Sequence, residues 1–245
     1  MPNLSSGKEK PNPAAGPDDA AAARESRGAR RKRETRTRLL EAALSLMAVK
    51  GADGVAINEI TEAADVASGS FYNHFESKEA IHAALSEWVF EEFADTLDVL
   101  TAELPDPAEV IAVSVRHTLL RARREPVWGQ FLMREGLSTH VLTRGLGPRL
   151  QRDIQKGIAA GRFAVDDPLM SLISIGGTIL VAIAAELRFG AIDSAVPDTM
   201  ADIGYSDEGF AERVAASMLQ TLGLRRAEAI DVAKRPLPAA ALSDH

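Results

Sequence analysis

The chain contains no cysteine, and its 245 residues include only two Trp and two Tyr. The lack of thiols excludes disulfides and thiolate metal sites and suits a reducing cytoplasm. Its five histidines, at 74, 82, 117, 140 and 245, never fall into a metal-ligand spacing such as H-E-x-x-H. No G-x-S-x-G elbow, P-loop or dinucleotide fingerprint occurs, so nothing points to catalysis or to a cofactor. No alternating apolar and polar strand of any length is present, which predicts an all-α chain. Residues 1–19 are polar and Pro-rich without the apolar stretch of a secretory signal. The one long apolar run is Pro168 to Ala185, eighteen residues without a charge. That meets the lower length limit for a membrane span. However, Ser171, Ser174, Gly176, Gly177 and Thr178 dilute it, and Asp166, Asp167, Glu186 and Arg188 bound it. A helix apolar nearly all round is equally one buried on several sides, and no membrane partner is expected.

What is present is a large apolar inventory and an uneven charge. Hydrophobic residues make up 46% of the chain, enough for one large domain or two smaller ones. The net charge of −7 hides a basic stretch. Between Arg24 and Arg38 eight basic residues stand against Glu25 and Glu34, a local +6 that leaves −13 elsewhere. An acidic body with a basic arm points to contact with nucleic acid or a membrane surface.

Residues 1–29, rich in Pro, Ala, Gly and Ser, predict a disordered basic tail. A first helix is expected from about Glu34 to Lys50, with Leu40, Ala43, Leu44 and Met47 on one face. Two short helices follow, about 57–64 and 68–75. Ser77 is placed to cap a long fourth helix. Asp106 and Pro107 start a fifth, about 107–123, and Pro126 a sixth. A seventh is expected at about 148–160 and an eighth at about 168–189. Ser206 is placed to cap a ninth, about 207–222. Residues 224–245 read as a flexible C-terminal tail.

The most specific segment is Ile60-Thr61-Glu62-Ala63-Ala64-Asp65-Val66-Ala67-Ser68-Gly69-Ser70-Phe71-Tyr72-Asn73-His74-Phe75-Glu76-Ser77-Lys78-Glu79-Ala80-Ile81. Ile57, Ile60, Ala64, Val66, Phe71 and Phe75 are spaced to close a small core, while Ser68, Gly69, Ser70, Asn73 and His74 point the other way. Two short helices about a turn, the second polar on one face, suit entry into the DNA major groove. The segment resembles the signature I-A-x-x-A-G-V-S-x-G-T-x-Y-x-H-F-x-S-K-E-x-L of the TetR family of bacterial transcriptional regulators. The resemblance covers roughly residues 34–90. Two positions depart from it. Asp65 stands in the turn where Gly is common, and Asp tolerates left-handed backbone. Ala67 stands where Ser often caps the second helix, which leaves Ser68 as the candidate cap.

The resemblance implies an N-terminal helix-turn-helix head (30–76) and a C-terminal ligand-binding and dimerisation body (77–223). It implies DNA contacts by Asn58, Ser68, Gly69, Ser70, Tyr72, Asn73, His74 and Lys78. Tyr72 and Lys78 can reach phosphates, and Asn73 can pair with adenine edges. His74 can equally brace the small core. The tail arginines either lie in the minor groove or add sequence-independent attraction. In the body, His117, Trp128, Phe131, Arg134, His140 and Thr178 are candidate liners of the small-molecule cavity that the family places between its fourth and eighth helices. Helices eight and nine are the candidate homodimer face, through the Gly176-Gly177 pair and the stripe Phe210, Val214, Met218 and Leu222. The expected function is a cytoplasmic, dimeric, ligand-released repressor of a pseudo-palindromic double-stranded DNA operator. The alternatives are a ligand-independent or activating DNA binder, and a helical enzyme or carrier with a vestigial head.

Overall fold

The computed structural model describes residues 17–138, 144–189, 198–202, 204–206 and 208–238, with side chains from residue 27 onward. Among them every regular element is a helix. Three helices form the head: α1 (Pro17–Lys50), α2 (Ile57–Ala63) and α3 (Ser68–Phe71). The apolar positions read from the sequence close its core, with Leu39, Ala43, Met47, Ile60, Phe71 and Phe75 all buried. Asp65 holds the α2–α3 turn at φ 50°, the only described non-glycine residue at positive φ. Arg38 fixes that turn by donating to the carbonyls of Ala64 and Asp65.

Helix α1 begins seventeen residues before the expected start at Glu34. The added stretch lacks an apolar period but is dense in Ala and Arg, both strong helix formers. Part of the expected disordered tail is therefore helical. Helix α3 is shorter than expected, since Asn73 and His74 continue as turns with N–H donating to Ser70 and Phe71, three residues back. Its N-cap is Ala67, which offers no side-chain acceptor, so Ser68 does not serve as the cap.

The body follows as α4 (Lys78–Thr101), α5 (Pro107–Arg124), α6 (Pro126–Glu135), α7 (Leu146–Ala159), α8 (Pro168–Phe189), α9 (Asp198–Asp202), α10 (Phe210–Thr221) and α11 (Arg226–Ala233). The Ser77 and Asp106 caps form as expected, accepting from the N–H of Ala80 at 3.2 Å and of Ala108 at 3.0 Å. Helix α5 is central and packs against α4, α6, α7, α8, α10 and α11. Helix α10 is capped by Gly209 at φ 64° rather than by Ser206, whose carbonyl instead accepts from Arg213.

The expected flexible tail over 224–245 is also corrected as far as residue 238, and 239–245 lie outside the described residues. Ala229, Val232 and Ala233 of α11 are buried. Arg162 pairs with Glu228 at 2.7 Å, and Arg235 with Glu109 at 2.9 Å. The three apolar residues span less than two turns, too few for a periodicity to show in sequence.

Candidate nucleic-acid interface and effector pocket

The head presents Asn58, Ser68, Gly69, Tyr72 and Asn73 to solvent. Tyr72 is 62% exposed, an unusual position for an aromatic ring without an external partner. Its ring packs edge-on against buried Phe71 at 5.4 Å. A Cβ on Gly69 would meet nothing within 4 Å, so the fold itself does not require glycine there. Ser70 and His74 are half-buried. Burial, then the positive charges of Lys32 and Arg36, hold His74 below the usual imidazole pKa. A neutral His74 packed beside Phe75 fits a brace for the small core. Lys78 is also half-buried and donates to the Asp53 carbonyl at 3.2 Å.

Of the six residues expected to line the body cavity, the five that are described do not line one cavity. Trp128 and Phe131 are buried in an aromatic core, where Phe93 stacks on buried His117 at 5.7 Å and meets Trp128 edge-on at 4.7 Å. Phe131 stacks on Phe90 at 5.8 Å. Arg121 lies over both Phe93 and Trp128, at 5.0 and 4.8 Å. Thr178 is half-buried on α8, and His140 lies outside the described residues.

Arg134 departs most clearly from its expected role. It reaches the head and donates to the carbonyls of Ala48 and Val49, both at 2.6 Å. These are unsatisfied acceptors at the C-terminal end of α1, where a cation also complements the helix dipole. Beside it, Glu135 lies 3.3 Å from His82 near the start of α4. The facing Glu135 carboxylate raises the His82 pKa above its usual value, against the opposing effect of burial. The C-terminal end of α6 therefore clamps the body to the head.

A cleft of about 270 Å³ opens elsewhere, between the end of α4, the start of α5 and α7. Asp98, Thr101, Leu104, Val110, Arg152 and Asp153 are among its lining residues. A wider groove of about 730 Å³ runs along α4, but α4 alone lines it, so it is a face rather than an enclosure. The smaller cleft is charge-dense. Arg152 pairs with Asp98 at 2.6 Å and with Asp153 at 2.8 Å. Arg149 holds Asp98 at 2.9 Å and Glu91 at 2.8 Å, and also pairs with Asp95. Burial pulls the Asp98 pKa upward, but hydrogen bonds from Arg152 and Arg149 outweigh it and hold the carboxyl below the usual range. The cleft thus offers fixed donors and fixed acceptors side by side within a network in which carboxylates outnumber arginines.

This network was missed in the sequence. Arg149, Arg152 and Asp153 lie at helical spacing, as do Glu91, Asp95 and Asp98, and each set alone reads as a solvated helix face.

An exposed helix-turn-helix head joined by α4 to a helical body with a polar cleft defines a DNA-binding regulator. Residues 39–85 match the family model described as bacterial regulatory proteins, tetR family, and residues 106–235 match the tetracyclin repressor-like C-terminal domain. Crystalline RolR in complex with resorcinol is 36% identical, with a TM-score of 0.62, over 86% of this chain and 99% of that one. The transcriptional repressor DhaR of Mycobacterium sp. (strain GP1) is 40% identical over 62 residues, a match spanning 25% of this chain and 31% of DhaR. The regulator CymR of Pseudomonas putida is 25% identical over 148 residues, 59% of this chain and 68% of CymR. The chain belongs to the TetR family and is a ligand-responsive transcriptional regulator.

Proposed function

We propose that the protein is a cytoplasmic homodimeric repressor, released from its operator when a small hydroxylated aromatic compound enters the cleft between α4, α5 and α7. The observation that carries this reading is that one helix serves both sites. Helix α4 starts at Lys78 on the head and carries Asp98 and Thr101 into the cleft. Its 24 residues span about 36 Å. A ligand that displaces an arginine from Asp98 changes the packing of α4 against α7. The other end of α4 is tied to α6 through His82 and Glu135, so the change reaches the head. Release follows only to the extent that the ligand binds the released arrangement more tightly.

Three features support the effector class. The cleft sits at the small end of ligand pockets. Its arginines and carboxylates can donate to and accept from hydroxyl groups. RolR, similar over nearly its whole length, was crystallised with resorcinol.

The assembly rests on α8. Ser171, Ile175, Ala182, Ile183 and Glu186 are buried within the protomer, and the buried Glu186 is held by Arg123 of α5 at 2.7 Å. The opposite face exposes Leu169, Met170, Ile173 and Val181. A Cβ at Gly176 or Gly177 would meet nothing within 4 Å, which leaves room for a second helix. This one-sided apolar stripe suits a two-fold contact between copies and does not need a membrane to cover it.

The operator is to be selected from a random duplex pool, and its complex with the dimer titrated with dihydroxybenzenes while fluorescence anisotropy is followed. Resorcinol or a close analogue is expected to release the parent, while Asp98→Asn retains operator affinity and loses the response. Selection of no preferred sequence refutes the regulator. Release that persists unchanged in Asp98→Asn and in Arg152→Met refutes the cleft.

A further inference from the structure

Helix α1 continues far beyond the head it belongs to. The helix starts at Pro17, about 33 Å along its axis before Leu39, its first buried residue among those whose side chains are described. Residues 27–34 are all exposed, and they include Arg30, Arg31, Lys32 and Arg33. The direction of this arm is set by the head. Arg38 bonds the α2–α3 turn, and Arg36 lies over the Phe75 ring at 5.1 Å, just past α3. Lys32, one turn before Arg36, lies close enough for its charge to act on His74. The arm thus leaves the head beside His74 and Phe75, the residues that follow α3. Its partner must be strongly anionic, since most of its exposed side chains in this stretch are cationic.

Two modes of DNA contact are available to a basic arm, and its conformation decides between them. An α-helix with side chains is about 10–12 Å across. The minor groove is about 6 Å wide. A helical arm cannot enter it, whereas it can lie over a phosphate ridge. We propose that the N-terminal half of α1 is a sequence-blind clamp that grips the phosphate backbone of the duplex flanking each half-site. Such contacts lengthen the footprint and raise affinity for all sequences alike. This inference rests on the DNA-binding role assigned to the head.

The test compares the full-length parent with Arg31→Gln/Lys32→Gln/Arg33→Gln. Glutamine preserves helix propensity, and the sites are exposed, so the two proteins should melt together. Affinity is read by anisotropy across a salt series on three duplexes: the operator core, the core with ten extra base pairs on each side, and a random sequence. Near 0.15 M salt the variant should bind the flanked operator and the random duplex about tenfold to a hundredfold more weakly, by the same factor. Its slope of log K against log salt should fall by up to about 5.4, about 0.9 for each phosphate that the two arms of the variant dimer, three cations each, no longer neutralise. The parent should prefer the flanked over the bare core, and the variant should bind both alike.

An unchanged affinity on all three duplexes overturns the clamp. So does a loss confined to the operator, since that is the behaviour of an arm that reads bases. A change of oligomeric state without a change in DNA affinity would place the arm on an acidic face of the protein and also overturns it. A parent that binds the flanked operator no better than a random duplex of the same length, with both bound more weakly by the variant, leaves the clamp standing and refutes operator recognition instead.

Discussion

Replacing Ile173 by Arg tests the assembly on which operator recognition depends. Ile173 is 54% exposed in the protomer and sits within the stripe formed by Leu169, Met170 and Val181 on α8. Fully burying a side chain of this class contributes about 1.5–3 kcal/mol, so covering the exposed half contributes about 1 kcal/mol per copy. A two-fold interface carries the change twice. It also places two guanidinium groups near the axis. At a separation of about 6 Å and an effective dielectric of about 20, their repulsion is about 3 kcal/mol. The two effects together amount to about 5 kcal/mol, or a dimer dissociation constant weakened about three to four thousandfold. Arginine is a good helix former and the site is open to solvent, so the protomer should stay folded.

Val214→Arg and Met218→Arg are the contrasting variants. The sequence pattern placed these residues in the dimer stripe of the ninth helix. In the structure they are 8% and 2% exposed and buried within the protomer, because α10 turns this face toward α5. A charge there has no partner and no water, so these variants should unfold rather than dissociate. Light scattering over a dilution series, combined with far-UV circular dichroism melts, separates the outcomes. Ile173→Arg that remains dimeric at low micromolar concentration and keeps parental operator affinity would refute the α8 interface. Exposed Val127, Met133 and Leu137, on and just after α6, would then be the candidate dimer face.

Tyr72→Ala should weaken binding to operator and random duplexes alike, with no loss of thermal stability, because the ring is largely exposed; a lowered melting temperature would make Tyr72 a core residue instead. Arg134→Met removes two charged hydrogen bonds to the end of α1, each worth about 1.5–3 kcal/mol at most. It should lower the melting temperature of the head by several degrees and weaken the release of DNA by effector, while effector affinity measured by calorimetry on the DNA-free protein stays within about twofold. Its raised pKa means that His82 contributes stability that is fully present below its unfolded value of about 6.5 and is lost as pH rises through the folded value. The melting temperature of the parent should therefore exceed that of His82→Gln most at about pH 6 and converge with it by about pH 9; a gap that widens with pH would refute the pairing with Glu135.

The sequence by itself determined the head. Its core residues, the Asp65 turn and the Ser77 cap follow from local spacing and from the chemistry of single residues, so they are legible within about twenty consecutive positions. The helices that begin at Ser77 and Asp106 were legible for the same reason, as was the apolar character of α8. The tertiary structure alone decided what those helices do to one another. The sequence shows that Val214 and Met218 form an apolar stripe, but a stripe does not say whether its partner is α5 or a second copy. Arg134 reads as one more cation at a helix end, and only the fold brings the α1 carbonyls to it from 85 residues away. The same holds for the cleft. Asp98 and Arg152 are 54 positions apart and each belongs to an ordinary charged face, so their meeting is a property of how α4 packs on α7. Helix propensity and capping act within a few residues along the chain. Ion pairing and burial act across space, and the chain records them only once it has folded.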